Sequence, residues 1–324
     1  MEPRPTAASA TDRPPAPGTG GGARTVFLPS TVDQTVFDEA FLRSLERLLV
    51  LLKKPVRGGL KGTRRSTKRG LSVEFADYRD YSLGDDLRTL DWNVYARLER
   101  LFVKLFIEEE DVTVTLLVDA SASMAQGSPD KLVFAKRAAA ALGYIALASE
   151  DRVVVSALAG RAARRRAALR GSGRALRLLA ELSAITPAPG PTDLHAAVRH
   201  AGAQLTGRGA VILLSDLLDP SADRAIRELA GTGSEVVVLH VLAPDEIRPD
   251  LEGDLRLVDV ETGSTVEVTL DLAARERYAD RVEAWRSGLA NLAARRRVSY
   301  VPVESTLPLA DLVFAELRRR RVVG

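Results

Sequence analysis

VTVTLLVDASASM, residues 112–124, decides how this chain is read. Its first seven residues form a near-continuous apolar, β-branched run, the pattern of a strand buried on both faces. The run then ends in Asp119, Ser121 and Ser123, one carboxylate and two hydroxyls spaced a residue apart. Asp and Ser are ordinary turn residues, so the stretch reads as a strand end. The same three groups are hard oxygen donors, so it reads equally as part of a metal site.

Similar apolar runs recur downstream at 152–158 (RVVVSAL), 210–215 (AVILLS), 235–241 (EVVVLHV) and 298–303 (VSYVPV). Amphipathic segments separate most of them. SPDKLVFAKRAAAALGYIAL predicts a helix with Ser128 as its cap and Pro129 at its first position. GRALRLLAELSA, TDLHAAVRHAGAQL, SADRAIRELA and LAARERYADRVEAWRSGLANLAARR predict four more. Strands alternating with helices imply an α/β fold, a doubly wound and mostly parallel sheet covered on both faces. RLVDVETGSTVEVTL, 256–270, interrupts the alternation and reads as an inserted hairpin.

In such sheets ligands bind beyond the carboxyl ends of the strands. Thr192, in PGPTDL, opens a predicted helix, and Asp216, in LLSDLLD, ends the strand VILLS. Each alone has a structural reading, Thr192 as a helix cap and Asp216 as a turn residue. Together with Asp119, Ser121 and Ser123 they form an oxygen-only set after successive strands. That set favours magnesium, with manganese as the alternative. Few protein charges would leave the ion electron-poor, with a position open to a carboxylate from a partner.

The arrangement Asp-x-Ser-x-Ser, then Thr, then Asp resembles the metal-ion-dependent adhesion site of von Willebrand factor A-like domains. The resemblance implies direct coordination by Ser121, Ser123 and Thr192, with Asp119 and Asp216 bound directly or through water. It also implies adhesion to an acidic residue of a partner. Asp193 and Asp219 stand beside the motif as supporting residues.

Residues 65–108 carry a narrower resemblance. RS at 65–66, followed by RGLSVEFADYRDYSLGDDLRTLDWNVYARLERLFVKLF, is similar to the signature of domain-of-unknown-function family 58, which precedes an A-type domain in that family. The likeness covers about residues 35–324, and it departs at Thr63-Arg64, where many members carry a His. Members are typically bacterial and commonly encoded beside MoxR-type AAA+ ATPases. The resemblance therefore implies an adaptor or co-chaperone role with such an ATPase and a client protein.

Within that segment, carboxylates and arginines interleave, so internal ion pairing is expected, with Arg meeting carboxylates bidentately. Tyr78, Tyr81, Trp92 and Tyr95 are expected to supply its apolar body. The structural reading is a cap on the edge of the sheet. The functional reading is a docking surface built on Arg79, Asp85, Asp86, Arg88, Asp91, Trp92 and Arg97.

Upstream, TVFDEAFLRSLERLLVLLKKP predicts a helix with a capping box at Thr35 and Asp38 and a stop at Pro55. Phe37, Phe41, Leu45, Leu48 and Leu52 share one face, the expected docking face. Residues 1–30 read as a disordered tail, 31–110 as the helix and family-specific segment, and 111–324 as the A-type domain. The Gly- and Arg-rich stretch 58–70 reads as a loop.

Composition bounds the rest. The 324 residues are 46% hydrophobic and 27% charged, a globular balance. A net charge of +3 on 46 basic and 43 acidic side chains gives little drive toward nucleic acid. The basic runs at 161–166, 293–297 and 318–321 read as solvated helix faces, with phosphate binding as the alternative. No cysteine is present, which excludes disulfides and thiol chemistry and fits a cytoplasmic setting. No stretch approaches the ~20 apolar residues of a transmembrane segment. A P-loop and a Gly-x-Ser-x-Gly elbow are absent. The Asp-x-Asp of haloacid dehalogenase-type phosphatases is replaced by Asp119-x-Ser121. His195 and His200 lie five apart, off the i, i+4 spacing of helical metal pairs. A metal-dependent phosphate-ester hydrolase is the enzyme alternative to a non-enzymatic interaction module.

Overall fold

The computed structural model describes residues 31–52, 73–82, 85–108, 112–205 and 209–313. The tail, the loop at 58–70, the connection at 109–111 and the run at 318–321 lie outside them.

Helix α1 (Glu39–Leu52) follows a turn. Asp38 caps it, accepting from the Phe41 amide at 2.7 Å. Thr35, the expected cap, instead donates its hydroxyl to Asp33 at 2.6 Å. Phe37, Phe41 and Leu45 are buried as the periodicity predicts. The side chains of Leu48 and Leu52 are outside the description. Arg137 fastens the turn, donating to the Val36 carbonyl at 2.6 Å and pairing with Asp38 at 2.9 Å.

Strand β1 (Val73–Asp80), helix α2 (Trp92–Leu98) and strand β2 (Phe102–Glu108) come next. β1 and β2 pair antiparallel with each other, as a two-stranded sheet separate from the main one. The segment therefore does not extend the edge of the main sheet. Its aromatics do not form an apolar body either: Tyr78, Trp92 and Tyr95 are 40%, 61% and 42% exposed. Two strands and a seven-residue helix enclose too little volume to bury them.

The main body begins at β3 (Thr113–Asp119), followed by α3 (Lys131–Ala148), β4 (Arg152–Ala159), β5 (Ala162–Arg165) and β6 (Leu169–Arg170). After α4 (Ala175–Ser183) and α5 (Leu194–Gly202) come β7 (Gly209–Ser215), α6 (Ala222–Gly231), β8 (Glu235–Leu242) and α7 (Pro244–Ile247). The hairpin β9 (Gly253–Val258) and β10 (Thr265–Leu270), long helix α8 (Leu272–Arg295), β11 (Ser299–Glu304) and α9 (Leu309–Asp311) complete it. The sheet order is β11-β8-β7-β3-β4-β5, with β6 also on β4. β3, β4, β7, β8 and β11 are parallel; β5 and β6 run against β4. The arginine-rich stretch at 161–166 is thus largely an edge strand, not a helix face.

Alternation along each strand serves two cores. Leu116, Val118, Val155, Leu214 and Leu239 face Phe41, Ala138, Leu178 and Leu182 of α1, α3 and α4. Leu117, Leu213 and Val238 face Leu194, Val198, Ile226 and Leu292 of α5, α6 and α8. This is the doubly wound sheet that the continuous apolar strands imply. Gly209 is required at the start of β7: a Cβ there would stand 2.1 Å from the Thr113 carbonyl oxygen.

α3 begins later than expected. Asp130 caps it by accepting from the Val133 amide at 3.0 Å, so Ser128 is not the cap. The insertion is a hairpin as expected, and most of its residues are exposed.

Candidate metal centre

Winding from β3 through α3 goes to β4 on one side, and β7 returns on the other side of β3. The carboxyl ends of β3 and β7 therefore flank the point where strand order reverses, the place where doubly wound sheets open a ligand crevice. Asp119 ends β3, and Asp216 follows β7.

Both carboxylates are buried, at 3% and 2% exposure. Asp119 Oδ1 accepts from the Ser121 amide at 2.9 Å, and Oδ2 accepts from the Ser215 hydroxyl at 2.6 Å. Ser121 Oγ lies 3.0 Å from Ser123 Oγ, so the two hydroxyls of the motif converge. Asp216 Oδ1 accepts from the Leu218 amide at 3.2 Å, and Oδ2 from Lys131 Nζ at 2.7 Å.

Thr192 arrives on the loop between α4 and α5. The Ala188 amide ties that loop to the Ala120 carbonyl at 2.7 Å, beside Asp119. The Leu194 amide ties it to Asp219 at 3.2 Å, beyond Asp216. Thr192 does not cap α5; Asp193 does, accepting from the Ala196 amide at 2.9 Å. The Thr192 hydroxyl is left buried with no hydrogen-bond partner among the described residues. An unsatisfied buried hydroxyl costs about 1–3 kcal/mol, so it calls for an explanation. Asp219 holds the two loops together, and it also accepts from the Ser221 amide at 2.6 Å.

Three residues that sequence reasoning passed over complete the centre. Lys131, at the start of α3, is fully buried and bridges Asp216 and Glu246. Burial alone would lower its pKa, but the two carboxylates outweigh burial and raise it. His240, on β8, gives its Nε2 to the Asp216 carbonyl at 2.8 Å, which fixes the proton on that nitrogen. Its Nδ1 accordingly accepts from the Tyr300 hydroxyl. Burial pushes this imidazole down to about 4. Lys131 could have been suspected, since it opens a helix directly after the Asp-x-Ser-x-Ser turn. Nothing local marks Glu246 or His240.

The charges are out of balance. Asp216 and Glu246 share one ammonium, and burial together with Asp216 raises Asp119 to about 7. A proton on Asp119 is one way to restore balance, and a divalent cation is another. Among the described residues no group of three His, Cys, Asp or Glu side chains makes a metal cluster. A cation here would take hydroxyls, and Ser121, Ser123 and the unpartnered Thr192 hydroxyl fit that need. An all-oxygen set with few charges has the chemistry that magnesium accepts.

The remaining histidines have other work. His195 Nε2 lies 3.6 Å from Glu228, and His200 Nδ1 accepts from the Ala163 amide at 3.1 Å. In the 73–108 segment, Arg79 meets Asp85 at 2.9 Å and 3.0 Å through one nitrogen. The Ser82 amide and Arg79 together hold Asp85 below the usual carboxylate range. Asp86 accepts from the Arg88 amide at 3.0 Å. Asp91 caps α2 and takes the Tyr78 hydroxyl at 2.8 Å. Arg88, Trp92 and Arg97 are exposed, and Trp92 packs edge-on against Tyr95.

Among the described residues no helix is long and apolar enough to cross a membrane. The chain is 19% identical to BatB from Bacteroides thetaiotaomicron, with a TM-score of 0.42 over 64% of this chain and 98% of that one. It is 12% identical to the VWA domain of SpRpn10, with a TM-score of 0.36 over 63% and 94% of the two chains. An uncharacterised protein of Mycobacterium tuberculosis, Rv1480, is 30% identical over 271 residues, 82% of this chain and 85% of the relative. The Mycobacterium bovis protein Mb1516 matches equally. Residues 77–288 match the family described as protein of unknown function DUF58, and this chain, with its doubly wound and mostly parallel sheet, belongs to that family.

Proposed function

We propose that this chain is a non-enzymatic, magnesium-dependent protein-interaction module, an adaptor or co-chaperone that links a MoxR-type AAA+ ATPase to a client protein. One observation carries the metal part of this reading: the buried Thr192 hydroxyl has no partner among the described residues, on a loop fastened to both the Asp119 and Asp216 ends of the sheet. Asp119, Ser121, Ser123, Thr192 and Asp216 would hold the ion. Bound there, magnesium would supply an electron-poor centre that attracts a carboxylate. Lys131 and Ser215 fix the orientation of the two aspartates, and His240 anchors the backbone at Asp216. The ATPase partnership rests on the resemblance to family 58 proteins.

Capture from a native bacterial lysate tests both parts, using wild type and Asp119→Ala, each with magnesium and with chelator. An AAA+ ATPase held only by wild type with magnesium is the expected result, with circular dichroism verifying that the variant is folded. A partner held equally in all four samples would place the interface away from the metal. Hydrolysis of a phosphate ester by the chain alone would replace the adaptor reading with a hydrolase.

A further inference from the structure

The inserted hairpin places a carboxylate against the candidate metal centre. Glu261, at the tip between β9 and β10, accepts through Oε2 from the Thr192 amide at 3.0 Å, across 69 residues of sequence. Of tip residues 259–264, Glu261 alone is partly buried; the other five are exposed. The tip holds its own shape. Asp259 Oδ1 accepts from the Glu261 and Thr262 amides at 2.8 Å and 3.0 Å, and the Gly263 amide donates to the Asp259 carbonyl at 2.8 Å. Gly263 takes the positive φ of 72° that this turn needs.

Capping of α5 does not explain the contact, because Asp193 already caps that helix. Glu261 uses one oxygen on the Thr192 amide, and the other has no hydrogen-bond partner among the described residues. The same threonine carries the unpartnered buried hydroxyl. The hairpin carboxylate is thus held on the backbone of the same residue that carries this hydroxyl.

We infer that Glu261 is a ligand supplied in cis: the hairpin offers its carboxylate to the bound cation, and an acidic side chain from a partner must displace it. This rests on the metal-site reading above. It adds a built-in competitor, so the hairpin sets how readily the centre accepts a partner.

Glu261→Gln isolates the charge, because the amide oxygen still accepts from Thr192. The full chain, its variant and the hairpin control Glu267→Gln would be titrated with magnesium alone by calorimetry. The expected result is magnesium binding at least about tenfold weaker in Glu261→Gln and unchanged in Glu267→Gln. Hydrogen exchange gives a second readout: magnesium should slow the amides of 259–264 in wild type and not in Glu261→Gln. Equal affinity and equal protection in wild type and Glu261→Gln would overturn the inference and leave the metal site standing. No magnesium binding by wild type would overturn both.

Discussion

The switch point of the main sheet and the 73–108 segment are built from the same residue types and treat them in opposite ways. At the switch point Asp119, Asp216 and Lys131 are almost wholly buried. In the segment Asp80, Arg79, Arg88, Arg97 and Trp92 are exposed, and the buried Asp91 is held by hydrogen bonds as a helix cap. Exposed ion pairs such as Arg100–Asp80 contribute little, because water screens them and flexible side chains lose entropy. Buried charges are costly unless each is paired and hydrogen-bonded, and here burial, with Asp216 beside it, raises the Asp119 carboxyl. A cluster kept at that cost is a candidate functional site. Perturbed buried groups in a crevice mark functional sites for this reason.

The sharpest way to break this contrast is Lys131→Met. The substitution removes the ammonium and leaves Asp216 and Glu246 facing each other without a countercharge. A loss of about 3–5 kcal/mol in urea unfolding is expected, the usual result of orphaning one side of a buried pair. A loss below about 1 kcal/mol would mean that the two centres differ in position and not in energetics.

His240 gives the next largest effect, and its sign is fixed. Its imidazole titrates near 6.5 when unfolded and is held down to about 4 in the fold. Between these values the unfolded chain binds the extra proton, so stability is complete above pH 6.5 and falls toward pH 4. The span corresponds to roughly 3 kcal/mol. Asp119 acts in the opposite sense over pH 3.8 to about 7, because its folded pKa is raised. The wild-type profile is their sum. Subtracting the urea-stability profile of His240→Gln should therefore leave a curve that rises with pH through this window. A flat difference would mean that water reaches the imidazole.

Much of this was legible in the sequence, and the parts that were not have physical reasons. The parallel strands announced themselves because both faces are buried, so their apolar runs are nearly unbroken. Asp119, Ser121 and Ser123 could be grouped because one turn holds all three. Lys131 stands close behind that turn, but its contacts with Asp216 and Glu246 span 85 and 115 residues, and nothing local marks Glu246. Two helices start a few residues later than the sequence suggests, capped by Asp130 and Asp38 and not by Ser128 and Thr35. Several side chains able to accept from a free amide lay within one turn, and only the fold selects among them. β5 was hidden by its arginines, which an edge strand can leave in water.

The smallest expected effect on stability tests the exposed half of the comparison. Helix α2 buries no residue, and Asp91 caps it independently of the Trp92 ring. Trp92→Ala should therefore change unfolding free energy by no more than about 0.5 kcal/mol. If the segment docks a partner, the same substitution should weaken capture of the ATPase by about tenfold or more, because exposed tryptophans are characteristic anchors of interfaces. Loss of binding without loss of stability would separate two surfaces in one chain, a metal-dependent one at the switch point and a metal-independent one on α2. Loss of both would mean that Trp92 packs within the chain, and the segment would then be a structural cap. Loss of neither would leave the switch point as the interface and α2 as a solvated helix.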